Sequence, residues 1–447
     1  MQSIKNLNFT YEYKSFLNLG NIFFLTGIFF LPSALPLGAI FLLTSIIISF
    51  CISKENFLKN KFNLILFLCS FFIIFSTIYS CILNPSKSLL DFDKSIIWLN
   101  LFNWLPIYFI FIGSQIYMRS EKQRLLFQKV LIAGTIPVIV SCIMQKFFNI
   151  YGPFETLFGT IVWFNYKHSA AQVSGLFNNP NYLGMWFTLC LPFSLTALKL
   201  EKKNFLSSII LYLINILIIY FAFATFSRNA IIGIVISFLL IIERRKLIII
   251  SSFFIVSLIF FIYILPNLSN IYQINFSDLS EAHTLQKFSS LRLSSNNPRI
   301  AIWSNALNFI SIRPFFGWGA GSFPHVFFEN ASLKIPLIKY QHTHNLIIEL
   351  AYNFGIPITF CIVCTIFNIF IKTFKKVNSL NKSLSKYLIY KPVVASFSIF
   401  LIAHLTDITY YDGKIGILFS LLLAGLKNIL DEEIESKNTY QVKIQSK

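Results

Sequence analysis

Charge is what this chain has least of. Only 12% of its 447 residues are Asp, Glu, Lys or Arg, where a soluble domain averages about 25%. A soluble fold is excluded on that ground alone, and the composition agrees: 55% of the residues are hydrophobic, 52 are Phe, and the mean hydropathy is +0.68. Acidic residues are scarcer than basic ones, 18 against 37. The resulting net charge of +19 does not mark a nucleic-acid binder, because the Lys and Arg stand in short clusters between apolar runs, where membrane topology signals belong. Cysteine is also sparse. Cys51, Cys69, Cys81, Cys142, Cys190, Cys361 and Cys364 all fall in apolar stretches, which excludes a disulfide scaffold and leads us to expect buried free thiols. Cys361 and Cys364 have C-x-x-C spacing but no second ligand pair, so they do not read as a zinc site. No cleavable signal peptide is evident, since the first apolar run follows a polar start and leads straight into a second. Nor is there an internal repeat of the transporter kind.

What is present is length of apolar run. A bilayer-spanning helix needs about 17 to 25 mostly apolar residues. Twelve segments approach that length, near 16–31, 36–53, 62–83, 95–117, 130–147, 181–198, 205–224, 230–243, 247–265, 356–371, 392–409 and 415–430. The expected fold is therefore an all-α polytopic integral membrane protein with about 12 transmembrane helices, a single membrane domain over 1–447. With the N-terminus inside, most of the 37 Lys and Arg face the cytoplasm, in the N-terminal tail, 53–61, 118–129, 199–204, 243–246, 372–391 and the tail 431–447. The positive-inside rule thus predicts both termini cytoplasmic.

Two outward loops exceed what connection requires, about 148–180 and, between spans 9 and 10, about 266–343. The second carries Trp303, Phe309, Phe315, Phe316, Trp318 and Phe323. Within it Ile300, Trp303, Leu307 and Ile310 follow helical spacing and predict a short amphipathic helix at about 298–312.

Ionisable groups at the membrane edge are the candidate chemistry. Arg228 lies in TFSRNA at the outer junction of the seventh and eighth spans. Its plain reading is a snorkelling interfacial arginine, yet it opposes the positive-inside trend and has no carboxylate among its sequence neighbours, so an anionic ligand would satisfy it. In the long loop Arg299 opens the amphipathic stretch, and Arg313 precedes Pro314 and then Gly317, Gly319 and Gly321. Such glycines permit turns whose N–H groups face an anion, or else form an ordinary turn between loop helices. His342 and His344 precede the helical pattern Leu346, Ile347, Leu350 and Phe354, which Gly355 and Pro357 end. A helix N-terminus favours neutral imidazole, the form a general base needs. A metal would require a third ligand, and no partner motif supplies one. His404 and Asp407 stand one helical turn apart; they satisfy each other, or Asp407 orients a catalytic histidine, or it pairs with an arginine of the outer pocket.

Together these pieces resemble the O-antigen ligase and O-antigen polymerase superfamily, which also includes pilin O-oligosaccharyltransferases. The matching elements, in order, are SGLFNNPNYLG (174–184), TFSRNA (225–230), Arg299 with Trp303, PFFGWGAGSF (314–323), and HTHN (342–345) followed by Glu349 and Gly355. The resemblance covers about 170–430; the first 150 residues match only as membrane spans. It implies metal-independent, cofactor-free glycosyl transfer at the periplasmic face of the bacterial inner membrane. The donor would be an undecaprenyl-diphosphate-linked glycan, and the acceptor a hydroxyl of lipid A core, another glycan or a protein. On this resemblance Arg228 and Arg299 look like the pair that holds the diphosphate and His344 like the essential histidine before Asn. Asp407 is similar in placement to an acidic residue of the eleventh span, while His342, Arg313, Gly317, Gly319 and Asn181 would line the substrate site. Either histidine could face the pocket, and ligase and polymerase share the motifs. A small-solute transporter is the other class to weigh, but it would carry polar groups near the membrane midplane, where the expected spans here are nearly free of them.

Overall fold

The computed structural model describes residues 2–53, 57–83, 89, 92–168, 172–201, 204–242, 298–330, 341–381 and 385–445. Among them the architecture is all-α and polytopic apart from one hairpin. Helices α1 (Gln2–Phe30), α2 (Leu35–Ile52), α3 (Lys61–Ile78), α4 (Ser95–Asn100), α5 (Leu105–Ser114) and α6 (Glu121–Phe147) form the first half. The hairpin β1 (Phe154–Thr156) and β2 (Ile161–Trp163) follows, antiparallel with Glu155 opposite Val162. Then come α7 (Pro180–Leu200), α8 (Phe205–Ala224), α9 (Arg228–Ile241), α10 (Pro298–Ile312), α11 (Phe323–Asn330), α12 (Leu346–Phe354), α13 (Ile356–Ser379), α14 (Ser385–Ala403) and α15 (Gly413–Gln445). Among the described residues nine helical stretches are long and apolar enough to cross a membrane, with Ser15–Phe30 and Arg228–Ile241 as shorter apolar helices. The expected span at 247–265, the basic cluster at 243–246 and most of the expected loop at 266–343 lie outside the described residues.

The spans begin where the sequence supplies caps. Ser120 and Gln123 form a capping box at the start of α6, and Asn179 accepts from Asn181 N with Pro180 in the first turn of α7. The centre of the bundle is α7, α14 and α15, the most deeply buried spans. Their core includes Trp186, Phe187, Phe193, Tyr390, Phe397 and Leu422. By contrast α2 and α8 turn large apolar side chains outward, among them Ile40, Leu43, Ile47, Ile210 and Ile216, as helices against lipid do. Gly184 permits the close approach of α7 to α9: a Cβ there would stand 2.9 Å from the Ala230 Cβ.

Three expectations change at this level. Cys51, Cys361 and Cys364 are exposed on helix faces rather than buried. Residues 298–312 are helical, but the buried stripe of α10 is Ile302, Ala306, Phe309 and Ile310, with Asn305 also inward, whereas Ile300 and Leu307 are exposed. In addition, the last helix does not stop near residue 430 but continues to Gln445.

Candidate active site

The turn before α12 is held from every side. Asn345 caps the helix, its side-chain oxygen accepting from Ile347 N (3.0 Å) and Ile348 N (3.1 Å). Thr343 N donates to Glu349 Oε2 at 2.9 Å, and Trp303 Nε1, reaching across from α10, donates to the Thr343 carbonyl at 2.9 Å. His344 occupies the left-handed region, with φ of 56°. That conformation is uncommon for a residue with a Cβ and persists only where its surroundings fix it. Here they do.

A second turn, between α14 and α15, is stitched to the first. Leu346 N donates to the His404 carbonyl (3.0 Å) and Asn345 Nδ2 to the Leu405 carbonyl (3.0 Å). These bonds bring His344 Nδ1 to 3.0 Å from Asp407 Oδ1. Asp407 also accepts from Ile408 N at 3.0 Å and from Asn181 Nδ2, at the head of α7, at 3.3 Å. Burial raises the Asp407 carboxyl, but the His344 bond and the charges of His344 and Arg299 outweigh it and hold it below the usual carboxylate range. A carboxylate can only accept, so the proton of this bond sits on His344 Nδ1. His342 is the neighbour in the turn: its Nδ1 accepts from His344 N at 3.3 Å, and the two rings meet at 4.3 Å. Burial first, then the charge of His344, pushes His342 down to about 4, so it is neutral at ordinary pH.

The arginines enter from two further elements. Arg228 is exposed in the first turn of α9. Its neighbour Asn229 fixes that turn to the Asp407 segment, donating to the Ala403 carbonyl at 3.3 Å and accepting from Thr406 Oγ1 at 3.0 Å. Arg299, half-buried in the first turn of α10, has its guanidinium shifted below its ordinary value. Burial is the main cause, Asp407 opposes it, and the like charge of Arg228 adds to it. The two guanidiniums, the carboxylate and both histidines therefore share one electrostatic neighbourhood.

Other expected residues are placed elsewhere. Arg313 lies over the Trp318 ring at 5.1 Å, and its guanidinium is shifted by burial and by Tyr79 and Tyr352, with no histidine among the causes. The N–H groups of Gly317 and Gly319 are taken up within the protein: Gly317 N donates to the Arg313 carbonyl, Trp318 N to Tyr352 and Gly319 N to Asn353. Gly317, at φ of 64°, packs so closely that a Cβ would stand 2.5 Å from the Tyr352 carbonyl oxygen. These glycines dock the loop onto α12. His404 is not the partner of Asp407. Its ring stacks on Phe400 at 3.8 Å, Nδ1 is 2.8 Å from the Phe400 carbonyl, and Nε2 lies 3.2 Å from Thr409 Oγ1.

Sequence reasoning assigned no role to Glu349, which is 1% exposed and accepts from Thr343 N, from Tyr411 OH at 2.5 Å and from Asn353 Nδ2 at 3.4 Å. The available signal was a carboxylate on the apolar face of α12, three residues from Leu346 and one from Leu350. Tyr411, whose ring also faces His342 at 5.9 Å, gave no signal of its own. For a metal, His342, His344 and Asp407 offer ligand atoms all within 4.8 Å of one another, so the third ligand that no sequence motif supplied comes from a distant turn.

Residues 213–363 match the family described as O-antigen ligase. The resemblance to that superfamily holds. The O-antigen ligase match takes in Arg228, Arg299, His342 and His344, while Asn181 and Asp407 lie beyond its two ends. The match spans about a third of the chain, and the apolar helices beside it are those of a multi-pass membrane protein. No curated protein matches the chain.

Proposed function

We propose that the protein transfers a glycan from an undecaprenyl-diphosphate carrier to an acceptor hydroxyl at the periplasmic face of the inner membrane, as an O-antigen ligase. The observation that carries this reading is the His344–Asp407 pair beside two guanidiniums. Asp407 holds the His344 proton on Nδ1, which leaves Nε2 to take the acceptor proton as the hydroxyl attacks the anomeric carbon. Arg228 and Arg299 neutralise the charge that grows on the departing diphosphate. The hydroxyl enters opposite the leaving group, so the anomeric centre inverts, and two fixed cations serve without a metal. Asn181 steadies Asp407, and His342 shapes the pocket wall.

Two measurements test this. Purified protein given lipid-linked donor and acceptor should release undecaprenyl diphosphate and an inverted glycoside, in the presence of a strong chelator as in its absence. Retention of anomeric configuration would sink direct displacement. Deletion of the gene should leave lipid A core without its glycan; single repeat units on the core would instead mark a polymerase of the same superfamily.

A further inference from the structure

We infer that His342, His344 and Asp407 also form a zinc-binding site whose occupation silences the His344 base. Three observations lead there. First, the ligand atoms lie within 4.8 Å of one another, and His344 Nδ1 and Asp407 Oδ1 are 3.0 Å apart. Neighbouring ligands of a tetrahedral zinc, with bonds of about 2.0 Å, stand about 3.3 Å apart, so the ion would replace the shared proton with little movement. Second, the set has the composition of an open zinc site, two imidazoles and one carboxylate with a position left for water. Third, the carboxylate has the outer support that such sites need, from Asn181 Nδ2 and Ile408 N. The charges of Arg228 and Arg299 oppose a cation, which makes the Asp407 carboxylate indispensable to it.

The consequence follows from proton placement. In the proposed reaction His344 acts as a neutral base whose one ring proton sits on Nδ1, facing Asp407. Zinc takes up the Nδ1 lone pair and that proton relocates through solvent to Nε2, with no net proton gained or lost. Nε2 then becomes a donor and cannot accept from a hydroxyl. Zinc binding does not depend on the proposed transfer reaction; the silencing rests on it.

The test uses the full chain in lipid nanodiscs, stripped of metal, with zinc chloride titrated against a chromophoric chelator. One zinc per chain is expected, with at least tenfold weaker binding in Asp407→Asn and in His342→Gln. X-ray absorption of the loaded wild-type protein should show nitrogen and oxygen ligands without sulfur, a readout that stands if a variant does not fold. Absence of binding, sulfur ligation, or unchanged affinity in both folded variants overturns the site. Transfer from lipid-linked donor should fall with zinc occupancy and recover with EDTA. Zinc bound through these ligands with transfer unslowed overturns the silencing and separately counts against His344 as base. Activity that EDTA destroys and zinc restores overturns it as well.

Discussion

At the scale of the residue, the candidate chemistry depends on the difference between a fork and a point. Arginine presents a planar fork to phosphate oxygens, whereas lysine presents one compact charge. Arg228→Lys and Arg299→Lys each keep the charge and lose a charge-assisted hydrogen bond, about 1.5–3 kcal/mol, or roughly 10- to 150-fold in rate. Kinetics of transfer in purified variants check this, and two Lys variants at the wild-type rate would remove bidentate diphosphate recognition from the scheme. The histidines separate in the same way. His344 has its Nδ1 on Asp407, while His342 gives its Nδ1 to a backbone N–H. General-base catalysis contributes about 10²–10⁴-fold, so His344→Ala should lower transfer by at least about 100-fold with expression retained, and His342→Ala should be milder. A larger loss from His342→Ala reverses the assignment.

At the scale of the element, the functional unit is a strained turn clamped by a buried acid. Glu349→Gln keeps the acceptor facing Tyr411 but sets an NH₂ against the Thr343 N–H, leaving one buried donor unpaired at a cost of about 1–3 kcal/mol. The arginines are untouched, so kcat should fall about tenfold or more while KM for the donor stays near its wild-type value. A fall in melting temperature with kcat preserved would instead mean that Glu349 only supports the fold. How much of this was legible varies by element for physical reasons. The spans are legible because length and apolar content are local properties. The start of α12 is legible because Asn345 is a capping residue in front of an apolar repeat. The partner of His344 is not, because Asp407 stands 63 residues away and is reached only through two turns bonded to each other. The inner face of α10 was misread for a different reason. Ile300 and Leu307 face out while Asn305 is buried, because the stripe that packs is set by the neighbouring elements and not by the helix's own apolar periodicity.

At the scale of the whole molecule, the two ends of the central helices carry opposite chemistry. Near the first turns of α6, Arg124 donates to Glu432 at 2.8 Å and stacks on the Tyr390 ring at 4.7 Å. Lys386 bridges Glu432 at 3.0 Å and Glu121 at 3.2 Å. This ionic latch joins the start of α6, the start of α14 and the far part of α15. The other ends of α14 and α15 flank Asp407, so the latch and the candidate site lie at opposite ends of the same two helices. The latch takes Arg124 and Lys386 from the basic segments around 119–129 and 372–391, and Lys and Arg are retained preferentially on the cytoplasmic side. On the proposed function the site opens to the periplasm, where a lipid-diphosphate donor would meet its acceptor. Reporter fusions at 119–129, 199–203 and 372–391 should therefore read cytoplasmic, and fusions near residues 160 and 330 periplasmic. A cytoplasmic signal at residue 330 would set His344 on the wrong side of the membrane, and no arrangement of arginines could rescue the transfer reaction from that.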